Sequence, residues 1–304
     1  MTATVIERKR HGKKITSYGF GRTAMFACQF DQRFSYCLYV PRGYDEDAGT
    51  TYPLAVIVHG SGRNATEYRD AFIDFAEQEQ CIVLSPLFPC GIIEPGEVNN
   101  YKYIKYHDIR FDHVLLAMID EAAGTYRVEA DRVLLHGYSG GGHFTHRFFY
   151  LHPDRLLGVS VGAPGVVTLL TNDRDYWVGV RDVEAVFGAP LDLDGLRRVP
   201  VQLVIGGDDT ETWEITIPRT SRTWMPGAED AGVNRQDRLA SLKASLEQHG
   251  IDVRQATVPG VGHEGFKVLE PVKSFFSEIL ARRRPVESFE ERAIVAKLGN
   301  ESPS

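Results

Sequence analysis

Apolar residues in this chain come in short unbroken runs separated by longer amphipathic stretches. LAVIVHG (54–60), CIVLSP (81–86), RVLLHGYS (132–139), LLGVSVGAPG (156–165) and VPVQLVIGGDD (199–209) are such runs. A run of this kind suits a strand covered on both faces, as in a parallel sheet. Between the runs, apolar positions predict helices near residues 67–79, 111–123 and 140–151, and another at 235–249. VRQATV (253–258) predicts a last strand and residues 264–281 a last helix. Alternating strands and helices imply βαβ units, hence an α/β protein with a mostly parallel sheet and right-handed crossovers. Residues 15–40 differ: ITSYGF, TAMFACQF and FSYCLYV, broken at Gly21-Arg22 and Asp31-Gln32, predict an antiparallel opening to the sheet.

Three stretches interrupt the rhythm. Residues 166–198 are too long for a simple connection, residues 210–234 are rich in Trp, Thr and Pro, and residues 88–106 carry Pro89, Pro95, Gly96, Asn99 and Asn100. Long loops at strand carboxyl ends are where α/β proteins place substrate contacts, so all three are expected to form a lid or pocket. Residues 285–304 read as a polar carboxyl-terminal extension with a short helix around Ser288–Leu298. The expected organisation is one domain over residues 1–284, its core at about 40–281, followed by that extension.

Composition narrows the partners. The net charge is -7 and no basic cluster dominates the body, which gives no electrostatic footprint for nucleic acid or an acidic membrane face. The runs Arg8-Lys9-Arg10 and Arg282-Arg283-Arg284 fit a solvated terminus and a solvated helix end. The opening segment lacks the ~7–15-residue apolar stretch of a secretory signal, and no run approaches the ~20 residues of a membrane span. The four cysteines, Cys28, Cys37, Cys81 and Cys90, show neither CxxC spacing nor the density of a disulfide scaffold. Free thiols in a cytoplasmic protein are the expectation. No metal or cofactor is expected, since neither HExxH nor an acidic cluster at ligand spacing appears. The extension leaves a homo-oligomer open.

Gly137-Tyr138-Ser139-Gly140-Gly141 is a GxSxG placed between a strand and a helical run. A sharp strand-to-helix turn exposes a nucleophile in strained backbone geometry, and flanking glycines avoid collisions with neighbouring chain. A serine hydroxyl needs a base to take its proton. Among ten histidines, His263 sits on a small-residue loop after the last predicted strand, where such a base belongs. His136 is expected to be buried structure, His143 and His146 to serve packing or lie at the surface, and His152 and His249 to sit at helix ends. An acid to orient the imidazole should follow the preceding strand, where LVIGGDDT offers Asp208 and Asp209; Asp209, farther along the loop, is preferred. An oxyanion hole would draw one amide from Gly140 and another from Ser61 in His59-Gly60-Ser61-Gly62. Tyr138, Trp213, Trp224 and Tyr101 are candidate pocket aromatics.

These segments resemble the α/β-hydrolase superfamily over residues 40–281. PLAVIVHGSGRNA (53–65) and ADRVLLHGYSGGGHFTHRFFYLHPDRLLGVSVGAPG (130–165) are similar to its polyhydroxybutyrate depolymerase and feruloyl-esterase-like branch. The resemblance implies an eight-stranded core with helices on both faces and ester hydrolysis through an acyl-enzyme. The branch's G-x-x-D acid falls on Gly206 to Asp209 and its histidine on His263. The three inserts match no pattern of that branch, so its polymer and feruloyl substrates do not carry over. The expected activity is cleavage of a small or medium carboxylic ester by Ser139, His263 and Asp209. The alternatives are an amidase or peptidase with the same triad, and a non-catalytic ligand-binding homologue.

Overall fold

The apolar runs become strands at or near their expected places, and the computed structural model describes residues 15–283. The amino-terminal segment departs furthest from expectation. Ser17–Gly19 form a single 3-10 turn, followed by two-residue strands β1 (Gly21–Arg22) and β2 (Phe26–Ala27), both antiparallel to β3 (Ser35–Val40). Gly21-Arg22, read from sequence as a break, is itself paired. Gly21 takes φ +60°, and Thr23 then closes the ladder by accepting the Leu38 amide on its hydroxyl at 2.9 Å. A side chain thus replaces the backbone partner that a longer strand would have supplied.

The remaining order is β4 (Leu54–Val58), α1 (Ala65–Ala71), α2 (Ile73–Glu79), β5 (Ile82–Leu87), a short hairpin β6 (Lys105–Tyr106) and β7 (Ile109–Arg110), then α3 (Phe111–Thr125). It continues with β8 (Val133–Tyr138), α4 (Gly140–Leu151), β9 (Leu156–Gly162), α5 (Val183–Phe187), α6 (Leu193–Arg198) and β10 (Val201–Gly206). The last elements are α7 (Arg235–Gln248), β11 (Val253–Val258) and α8 (Leu269–Arg283). The helix expected over 67–79 is two helices. Phe72, fully buried, turns between them with its amide on the Arg69 carbonyl at 3.2 Å. The expected tail helix at Ser288–Leu298 and the Arg8-Lys9-Arg10 run lie outside the described residues. At the end of α8, Arg283 pairs with Glu129 at 2.8 Å.

The sheet runs β1-β3-β5-β4-β8-β9-β10-β11, with β2 as a ninth strand alongside β3. From β5 through β11 every neighbouring pair is parallel. The eight-stranded path is the one the resemblance implies; β2 is additional to it. Every residue of β4, β8, β9 and β10 is buried, so helices and loops cover both faces. Such strands can be apolar throughout because neither face meets water, and each fully buried Val, Leu or Ile stabilises the fold by ~1.5–3 kcal/mol.

This order contains a reversal. The chain passes from β4 to β5 on one side, then crosses back to β8 on the other. The loops leaving the carboxyl ends of β4 and β8 therefore diverge and open a crevice between them. An aromatic cluster underpins that crevice. The Phe88 ring centroid lies 5.3–6.1 Å from those of Phe34, His59, Tyr101, Phe111 and Phe144, in tilted and edge-on pairs. All four cysteines are free thiols, three of them buried, and among the described residues no helix is long and apolar enough to cross a membrane. Truncating Phe88 to alanine removes the ring shared by all five neighbours. Phe88→Ala is expected to lower unfolding free energy by about 3–5 kcal/mol, read from urea denaturation.

Candidate active site

Ser139 follows β8 directly and begins α4. Its backbone sits at φ +56°, ψ -114°, a region that non-glycine residues adopt only when their surroundings dictate it. The surroundings are glycines. A Cβ at Gly141 would run into the carbonyl oxygens of Val58 and His59, one at Gly137 into the backbone of Gly141, and one at Gly142 into the Gly162 carbonyl. Three backbone segments meet around the turn with no room for a side chain. The Ser139 amide donates to Gly162 at 2.8 Å, tying the elbow to β9.

His263 is delivered by the loop after β11. That loop crosses the end of β10 so closely that a Cβ at Gly206 would strike the carbonyls of Val261 and Gly262. Gly207 and Asp208 fasten it by donating amides to Val258 and Val261, both at 2.8 Å. The result joins residues far apart in sequence. His263 Nε2 stands 2.9 Å from Ser139 Oγ, and His263 Nδ1 stands 2.6 Å from Asp209 Oδ2. Of the two carboxylates, Asp209 is wholly buried and meets the imidazole, whereas Asp208 is exposed. The preference for Asp209 agrees with this geometry.

Asp209 has a second partner that sequence reasoning missed. Arg235, the first residue of α7, is buried and donates from Nη1 to Asp209 Oδ1 at 3.2 Å and from Nη2 to Glu214 Oε2 at 2.7 Å. One oxygen of the carboxylate faces histidine and the other faces a guanidinium. The sequence signals the start of that helix through Asn234, whose Oδ1 accepts the Asp237 amide at 2.8 Å, but carries no sign of where Arg235 points. Tyr138 tilts against the imidazole with ring centroids 5.0 Å apart, and burial pushes its phenol well above the ordinary range.

The segments carrying Ser61 and Gly140 also come together. The Ser61 nitrogen lies 3.0 Å from the place a Cβ of Gly140 would occupy, so the β4 loop abuts the first turn of α4. Ser61 borders an open cavity of about 930 Å³, as do Ser139 and His263. Tyr138 and Trp213, named from sequence as pocket aromatics, line it too, Trp213 largely exposed at the mouth. The other two do not. Tyr101 is fully buried beneath the site, its hydroxyl donating to the His59 carbonyl at 3.1 Å, because the aromatic cluster claims its ring. Trp224 packs outside the cavity, beside Val166, Trp177, Val178 and Ala228. The inserts 88–106 and 210–234 supply walls through Val98, Asn99, Lys102 and residues 213–218, whereas 166–198 contributes Val166.

Four buried histidines, His59, His136, His143 and His146, each contact a backbone group. His59 accepts the Phe88 amide at 3.0 Å, His146 the Thr168 amide at 3.0 Å, and His136 contacts the Ser160 carbonyl at 2.9 Å. Burial lowers the pKa of His59 and His136 to about 4 and keeps both neutral. His143, also buried, accepts the Gly165 and Val166 amides at 2.7 and 3.2 Å. His152 and His249 sit at the ends of α4 and α7.

No protein-family profile matches the chain. A curated relative from Nocardia uniformis subsp. tsuyamanensis, "Putative esterase NocK", is 26% identical over 229 residues, 69% of this chain and 64% of that protein. Among solved structures, the poly(3-hydroxybutyrate) depolymerase LpqC of Bordetella parapertussis superposes with a TM-score of 0.64 at 24% identity, covering 85% of this chain and 87% of that one. Poly(aspartic acid) hydrolase-1 of Sphingomonas sp. KT-1 superposes with a TM-score of 0.62 at 23% identity, covering 79% and 92%. With these neighbours, its sheet order and its glycine-walled elbow, the chain has the α/β-hydrolase fold.

Proposed function

We propose that this protein is a serine hydrolase that cleaves carboxylic esters of small or medium size. The observation that carries the reading is the unbroken hydrogen-bond line from Asp209 through His263 to Ser139 at the floor of a cavity. Its volume of about 930 Å³ is in the ~300–1,000 Å³ range of small-molecule sites. The esterase name of the Nocardia relative points the same way.

In this mechanism Ser139 Oγ attacks the ester carbonyl while His263 Nε2 takes its proton. Asp209 fixes the imidazole with its proton on Nδ1 and stabilises the imidazolium that forms. The Gly140 and Ser61 amides receive the developing oxyanion, and loss of one such donor typically costs ~10²–10³ in rate. His263 then protonates the departing alcohol. Water, deprotonated by the same imidazole, releases the acyl group. No step calls for a metal or cofactor.

Wild-type protein is expected to be labelled by a fluorophosphonate probe and to hydrolyse nitrophenyl esters, and Ser139→Ala to lose both. An unlabelled wild type would favour the non-catalytic binding protein, and turnover of nitrophenyl anilides alone would favour the amidase. The two neighbouring aspartates separate in the same assay. Asp209→Asn leaves the imidazole without its orienting carboxylate and is expected to lower kcat by about 10⁴, whereas Asp208→Asn, altering an exposed side chain, stays within about threefold. Equal losses at both positions would remove Asp209 from its role.

A further inference from the structure

Three cationic side chains border the cavity: Lys102, Arg235 and Lys267. Two are committed to carboxylates. Arg235 bridges Asp209 and Glu214, and Lys267 pairs with Glu264 at 2.7 Å. Glu214 and Glu264 are also the carboxylates that border the cavity, so these charges offset one another. Lys102 is different. Its Nζ donates to a neutral amide oxygen, Asn99 Oδ1, at 2.8 Å, and among the described residues it forms no salt bridge.

Its position is fixed by its neighbours. Lys102 lies in a 3-10 turn, Asn100–Tyr103, whose backbone is clamped from two sides. The Lys102 carbonyl accepts from the buried Arg147 at 2.5 Å, and the neighbouring Tyr101 is anchored on His59. Ile104, which ends the turn, takes φ +68°, a conformation a β-branched residue adopts only under constraint. The consequence is close approach to the nucleophile: Lys102 Cε lies 3.1 Å from where a Cβ of Gly140 would stand.

We propose that Lys102 binds an anionic oxygen group of the substrate: a carboxylate a few bonds from the scissile carbonyl. This rests on the ester-hydrolase reading and narrows its substrate class to half-esters of dicarboxylic acids or acyl esters of hydroxy acids. A bound carboxylate gives the ammonium its missing counter-charge in a poorly solvated place, where charge-assisted hydrogen bonds are strong. Neutral esters leave the ammonium without a counter-charge, and a site built for a polar group discriminates sharply against analogues that lack it.

Burial lowers the Lys102 pKa to about 8; Arg63 lowers it further, while Glu97, Cys90 and Glu214 act in the opposite direction, and the neighbouring His143 is neutral. The ammonium is present below that pH and is lost above it. Preference for the charged substrate in kcat/KM is therefore greatest below pH 8 and declines above it.

The test compares kcat/KM at pH 7 for two matched pairs: methyl hydrogen glutarate against methyl pentanoate, and carboxymethyl butyrate against isobutyl butyrate. At least a tenfold preference for the charged member of one pair is expected, and which pair shows it separates an acyl-side from an alcohol-side carboxylate. Lys102→Met is expected to reduce that charged-to-neutral ratio about tenfold and Lys102→Arg to restore part of it; a ratio cancels any general damage to the enzyme. No charged preference in either pair, or one undiminished in Lys102→Met, overturns the proposal. Calorimetric titration of glutarate into Ser139→Ala, with and without Lys102→Met, reads the subsite without turnover. Binding that requires Lys102 supports it, and no binding overturns it. Fluorophosphonate labelling of the wild type keeps the two readings apart. A protein that labels and cleaves methyl pentanoate without charged preference loses only the subsite, and one that does not label loses the ester-hydrolase reading.

Discussion

Ser139 is held in a backbone conformation unfavourable for its residue type, and the structure around it is arranged so that no other is available. β4, β8 and β9 converge on the turn until carbonyl oxygens of Val58, His59 and Gly162 occupy the space that side chains at Gly141 and Gly142 would need. That approach requires the central strands to be parallel, in register and covered on both faces. The sheet thus acts on the chemistry through steric exclusion: it leaves one place for the hydroxyl and aims it into the crevice opened where the strand order reverses.

The electrostatic arrangement follows the same logic one layer out. Asp209 is fully buried, and a buried carboxylate without partners would abandon its charge. Here both oxygens are engaged, one by His263 and one by Arg235, and Arg235 is itself neutralised by Glu214 nearer the solvent. Charge alternates outward from imidazole to cavity wall. Such a chain gives both carboxylate oxygens a partner without exposing them to water, and it ties Asp209 and His263 mechanically to the first turn of α7.

Much of this was legible in the sequence because it is local. A strand, a glycine-flanked serine and a helix start lie within residues 132–151 and announce themselves through hydrophobic run length and glycine spacing. The Asp-Asp pair and the histidine loop are likewise strand-end features that topology alone brings together. What escaped was set by tertiary packing. Residues 15–30 have strand-like composition, yet at the sheet edge only two short pairings form, with Thr23 completing the ladder. Tyr101 looked like a pocket aromatic, but an aromatic cluster around Phe88 claims it, and no periodicity distinguishes the two fates. Arg235 and Lys102 were invisible because nothing in a sequence tells which way a long cationic side chain will reach.

The division of labour in the molecule follows from the same contrast. Ser139, Asp209 and His263 sit at or just beyond the carboxyl ends of β8, β10 and β11, where the parallel ladder positions them. Much of the cavity wall comes instead from the inserts 88–106 and 210–234. An insert remote from the sheet would ordinarily be loose. The Asn100–Tyr103 turn is not, because Arg147 from α4 holds its backbone and Tyr101 roots it in the core. This part of the cavity wall is anchored to the same helix that Ser139 caps. A change in what the cavity accepts can therefore come through side chains on the insert, while the helix and the catalytic line beneath it stay unaltered.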